Sequence, residues 1–266
     1  MKIFFRRYGE GPPLVILHGL YGSSDNWITI AKRISSRFTV FLPDLRNHGN
    51  SPHSDIHDYE SMSKDLLEFA SDHKLKSFFL AGHSMGGKAA VRFALQNPDF
   101  INGLIVADIS PFGTKTSNDG SYKQHIEILK ILSETDISKA GSRTELERLF
   151  EGTIISGRTR GLILKNIRRN NDGSFSWKIN NKALLANIER IVDSVISPSE
   201  SFEPVTGFPV IFLKGENSDY LPSSDYQNIL KFFPAAEFRI ITNAGHWLHV
   251  DNPDEVINAF LSLVDQ

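Results

Sequence analysis

The chain has 266 residues, 40% hydrophobic and 23% charged, with a formal net charge of −2 and no cysteine. That length suits one sizeable α/β domain with an insertion, and the charge balance gives no general attraction for nucleic acid or an anionic membrane. The missing thiols exclude disulfides, a Cys-ligated metal and a thiol nucleophile.

"MKIFFRRYGEG" opens with three apolar residues and then two arginines, which reads as a first strand and not as a secretory segment. No apolar run approaches the ~20 residues needed to span a bilayer, so a cytoplasmic protein is expected. "PLVILHG" (12–19), "FTVFLPD" (38–44), "SFFLAGH" (77–83) and "INGLIVADI" (101–109) are nearly continuous apolar strands. Such runs are buried on both faces, as in a parallel sheet flanked by helices. Helices are expected between them at 25–36, 58–73 and 84–96. After Pro111 the rhythm changes: residues 113–205 read as mostly helical, in "SYKQHIEILKILSE", "RTELERLFEG", "GLILKNIRRN" and "NKALLANIERIVDSVI". The β/α alternation resumes with "GFPVIFLKG", a helix near 223–233, "EFRIITNAG" and a last helix near 252–264. One sheet domain, 1–112 with 206–266, interrupted by a helical insertion at 113–205, explains this order.

Three motifs carry chemistry. "GHSMGG" (82–87) places G-x-S-x-G between a strand and a helix. The glycines permit a sharp turn that exposes the Ser84 hydroxyl, and the helix N-terminus points free N–H groups at the reacting centre. A capping serine in a glycine-rich turn is the plainer alternative. "LHGLYGSSDNW" (17–27) ends a strand in small residues. Acyl transfer needs two N–H donors for the developing oxyanion, expected from the amides of Met85 and Leu20. "NAGHWLHVDNP" (243–253) supplies a base, His246, at the carboxyl edge of the sheet. His249, three residues on, reads as a packing or capping histidine. The "HSDIHD" cluster (53–58) lacks a third well-placed ligand and reads as a surface loop, so no metal site is expected. Tyr21 and Trp247, beside Leu20 and His246, are the candidates for substrate contact.

With these motifs in this order, the chain resembles the α/β-hydrolase superfamily from residue 12 to its end, more weakly across 113–205. Within that superfamily it is similar to the YbfF-like esterases, on "HGLYGSSDNW", "DLRNHGNSP", "GHSMGGKAA", "ADISP", "GENSDY" and "AGHWLH". The resemblance implies a Ser–His–Asp hydrolase of small-molecule esters or thioesters, with a helical cap and no metal or organic cofactor. It also implies that the serine in "GENS" is normal for this branch, with the acid standing in "ADISP". Read from the residues, two acids satisfy the order Ser, Asp, His. Asp108 interrupts an apolar run at a strand end, where a carboxylate needs a partner such as an imidazolium. Asp219 follows Glu216, Asn217 and Ser218 and reads equally well as a solvated turn. Asp108 is favoured and Asp219 kept as the alternative, with Ser218 expected to support His246 or Asp108 by a hydrogen bond.

The insertion is expected to cover the carboxyl edge of the sheet, its apolar faces forming the acyl pocket. Its stretch 153–171 holds Arg158, Arg160, Lys165, Arg168 and Arg169 without an acid. That pattern suits either a solvated helix face or an anionic leaving group such as coenzyme A. The same apparatus serves carbon–carbon bond hydrolases, cofactor-free perhydrolases and small-molecule receptors with a slow triad.

Overall fold

The structure, a computed structural model, describes residues 1–113, 120–154, 156–196 and 200–264. The first half follows the apolar runs closely. Strands β1 (Phe5–Tyr8) and β2 (Pro13–Leu17) lead through a 3-10 turn, Ser24–Trp27, into α1 (Ile28–Ile34). The Ser23 side chain accepts from the backbone of that turn, and the Asn26 side chain reaches back to Ser23, a capping box. Then come β3 (Thr39–Pro43), α2 (Tyr59–Asp72), β4 (Phe78–His83), α3 (Met85–Gln96) and β5 (Ile101–Ala107). Asp58 caps α2 by accepting from the Ser61 amide at 2.8 Å.

The segment between β5 and the next strand of the main sheet is not wholly helical. It holds α4 (Gly120–Glu134), α5 (Arg143–Glu151) and α6 (Gly157–Lys165). There the expected helix over "GLILKNIRRN" stops, and β6 (Ile167–Arg169) pairs antiparallel with β7 (Phe175–Trp177). The turn between them puts Gly173 at a φ of 87°, a conformation that glycine adopts without steric cost. Two short helices follow, α7 (Asn181–Ala186) and α8 (Ile188–Val192). The chain returns through β8 (Val210–Gly215), α9 (Tyr226–Phe232), β9 (Ala236–Ile241), α10 (Leu248–Asp251) and α11 (Pro253–Leu261).

Among the described residues, seven strands form one sheet in the order β1-β3-β2-β4-β5-β8-β9. Every neighbouring pair is parallel except β1 with β3. Alternate residues of each strand feed opposite layers: Val15 and Leu17 pack toward α2 and α3, Leu14 and Ile16 toward α1 and α11. Parallel strands end on the same edge, so the segments after β2, β4, β5, β8 and β9 converge there. The insertion leaves from that edge after β5 and returns to its parallel neighbour β8. The chain order thus delivers distant parts of the sequence to one place.

Candidate active site

Ser84 is the single residue between β4 and α3, with φ 55° and ψ −123°. That backbone state is costly for a residue with a side chain and persists only when its surroundings impose it. Two glycines make the turn possible. A Cβ on Gly82 would stand 2.1 Å from the Gly86 carbonyl oxygen, and one on Gly86 2.5 Å from the His18 carbonyl oxygen. The Ser84 side chain makes no capping hydrogen bond to α3, so the plainer role of an N-cap is not the one it fills. Met85 holds the first helical position, where an N–H has no intrahelical acceptor.

Asp108 lies just past β5, fully buried, at a φ of 51°. Its Oδ1 accepts from the Gly215 amide at 2.8 Å, and its Oδ2 accepts from both the Ser218 hydroxyl and His246 Nδ1, the latter at 2.8 Å. Each carboxylate oxygen therefore has a donor, which offsets the cost of burying it. Ser218, of the two partners expected for it, bonds Asp108. Asp219 is exposed beside it. Since Nδ1–H donates to the carboxylate, His246 Nε2 is left as an acceptor. The Ser84 hydroxyl is not hydrogen-bonded to His246, and the two line one cavity.

That cavity measures about 240 Å³ and is bordered by Leu20, Tyr21 and Trp247, with Gln124, His125 and Leu162 from the insertion. Tyr21 is buried and takes a φ of 61°. Its carbonyl accepts from Asn166 Nδ2 at 2.6 Å, and its hydroxyl lies 3.3 Å from His125 Nδ1. The insertion therefore holds the loop that carries Leu20. Burial also pushes the Tyr21 phenol well above its ordinary pKa, so it stays a neutral donor. Trp247 is half-buried under the guanidinium of Arg158, 5.9 Å from the ring centre.

The basic stretch does not form one helix face. Arg158 pairs with Asp251 at 2.7 Å, Arg160 donates to the Ile154 carbonyl, and Arg168 and Arg169 lie on β6. In "HSDIHD", His53 is exposed while His57 is buried beside Asn47 and Met85 Sδ, and Asp58 caps α2. Among the described residues no cluster could hold a metal ion. His249 is buried and stacked on Trp27, ring centres 4.4 Å apart, as a packing residue would be.

Sequence reading gave no role to His83 and Tyr220. His83 Nε2–H donates to the His246 carbonyl at 2.7 Å, and burial together with the nearby His246 holds its ring neutral. Tyr220 stacks on His246 with ring centres 3.8 Å apart. The two rings pack against the imidazole, and the carbonyl contact fixes its backbone. His83 stands next to Ser84 at a strand end, a placement legible in the sequence, whereas the Tyr220 stack depends on how β8 and β9 pair.

Comparisons with known proteins bear on the family and the fold. A family model described as the alpha/beta hydrolase fold matches residues 12–125. A relative from Mus musculus named sn-1-specific diacylglycerol lipase ABHD11 is 36% identical, over 95% of this chain and 81% of that one. Esterase YbfF of Escherichia coli is 29% identical, over 93% of this chain and 91% of that one. Among solved structures, a marine microorganism esterase aligns with a TM-score of 0.93 at 44% identity, covering 98% of this chain and 99% of that one.

Proposed function

This chain belongs to the α/β-hydrolase family, and we propose that it is a carboxylic ester hydrolase that works through Ser84, His246 and Asp108. The observation that carries the reading is the buried Asp108 carboxylate, bonded to His246 Nδ1 beside a serine held in a strained turn on the same cavity. His246 Nε2 takes the Ser84 proton as the hydroxyl attacks the acyl carbon. The amides of Leu20 and Met85 stabilise the tetrahedral oxyanion. His246 then protonates the leaving alcohol or thiol, and water repeats the sequence on the acyl-enzyme. Ser218 supports the carboxylate, and Tyr21 and Trp247 contact the substrate. Residues 113–205 act as a cap over a core formed by 1–112 and 206–266.

The substrates are small-molecule esters, with thioesters open to the same chemistry. Arg158 is already paired with Asp251, which weighs against the basic stretch as a phosphate clamp. Among the described residues no helix is long and apolar enough to cross a membrane. Hydrolysis of p-nitrophenyl acetate and butanoate by the wild type and by Ser84→Ala tests the reading. Turnover should be abolished in a folded Ser84→Ala protein. Retained turnover in that variant would overturn it.

A further inference from the structure

Two cavities meet at Ser84. The larger is bordered by His246 and Trp247. The smaller, about 40 Å³, is bordered by Ser84, Met85, Lys88, Ile109, Ile191 and Val192, and His246 is not among its walls. The two halves of an ester have different needs. Only the leaving oxygen must collect a proton from the base, so the alcohol or thiol has to lie against His246. This step rests on the proposed role of His246. The leaving group then takes the larger cavity, and the acyl chain is left with the smaller one.

The geometry points to the smaller cavity as the acyl site and to Lys88 as a specificity-determining donor within it. The substrates are esters of a short acid bearing an oxygen acceptor on its chain, joined to a larger alcohol or thiol. At about 10–15 Å³ of such space per water, the cavity holds only about three non-hydrogen atoms. Its wall is fixed from behind. The Tyr59 hydroxyl donates to the Ile191 carbonyl, and Lys88 Nζ donates to the carbonyls of Val192 at 3.1 Å and Asp193 at 2.8 Å. Retreat of that wall would strand buried donors, which is costly. An ammonium has three donors; two of those of Lys88 go to these carbonyls, and among the described residues the third has no acceptor. Lys88 is only 2% exposed, and burial pushes its pKa down to about 7. An acyl oxygen at the end of the cavity would satisfy that donor and stabilise the charged form.

The test compares kcat/KM in two ester series. One keeps p-nitrophenol and varies the acid through acetyl, butanoyl, 3-oxobutanoyl and octanoyl. The other keeps acetate and lengthens the alcohol from methyl to octyl. The acyl series should fall at least about tenfold from butanoyl to octanoyl, while octyl acetate is retained. In Lys88→Met the ratio of 3-oxobutanoyl to butanoyl ester should fall about tenfold, the size of one hydrogen bond to a charged donor. Val192→Ala, which widens the cavity and keeps the backbone carbonyl that Lys88 bonds, should move the preference toward longer acids. Octanoyl esters cleaved as fast as butanoyl, with octyl acetate rejected, would overturn the cavity assignment. An unchanged ratio in folded Lys88→Met would overturn the role of Lys88, and no shift in Val192→Ala would overturn the site. A wild type that cleaves none of these esters would sink the proposed function itself, not this partition.

Discussion

The proposed mechanism turns on Asp108, whose neighbours leave it no freedom. Three donors hold its two oxygens, one of them His246 Nδ1. Replacing one oxygen by an amide preserves shape but reverses the bond to the imidazole, which then presents the wrong nitrogen to Ser84. Asp108→Asn should therefore lower kcat by about four orders of magnitude, the loss seen when a triad keeps its geometry but not its tautomer. Asp219→Asn, at an exposed position, should change kcat by less than about twofold, as ordinary surface substitutions do. A steady-state assay of both variants checks the pair, and the opposite ranking would return the role to Asp219. The apolar run around Asp108 made its need for a partner legible in the sequence, since a charge at a buried strand end demands one, and His246 Nδ1 stands there. Its bond to Ser218 was legible only as one of two options, because which oxygen that hydroxyl meets depends on the turn after β8.

The five inner strands, β2, β3, β4, β5 and β8, were legible as elements because each is almost wholly buried and reads as a nearly unbroken apolar run. Their common edge followed from the parallel pairing that such runs imply. The hairpin of β6 and β7 was not. Strands of three residues are too short to show alternation, and the leucines and isoleucine of α6 extend a helical pattern up to "NIRR". A signal was present in "NNDGS": Asp-Gly is a strong turn marker, and Gly173 does sit in the left-handed region there. The helical spacing of the preceding residues outweighed it. The hairpin has a functional consequence. With Arg168 and Arg169 on a strand, the five basic residues of 158–169 no longer share one face, and the case for an anion-binding helix loses its geometry.

At the scale of the whole molecule, buried histidines set how the fold responds to acid. His57 and His249 are pushed down to about 3, chiefly by burial, and His48 and His83 well below the ordinary range for the same reason. All four are neutral in the fold, whereas the unfolded chain binds their protons near pH ~6.5. The folded pKa is the lower one, so the stabilising contribution is full above about pH 6.5 and is lost as the pH falls below it. Each such histidine steepens the decline by about 1.4 kcal/mol per pH unit, down to its own folded pKa. Urea unfolding followed between about pH 7.5 and pH 5 should show a midpoint that is flat near neutrality and falls steeply below about pH 6.5. A midpoint unchanged over that range would mean that the histidines titrate alike in both states.

The acyl-enzyme of the proposed mechanism would register at this scale, as a change in the mass of the intact chain. Rapid acid quenching during turnover of a p-nitrophenyl ester, followed by intact-mass and peptide analysis, tests the central claim most directly. The account predicts one acyl group on the peptide bearing Ser84, formed within the first turnover, lost by continued hydrolysis and absent from Ser84→Ala. Steady hydrolysis without an adduct on that peptide, undiminished in Ser84→Ala, would contradict it, as would an adduct that forms once and is never released.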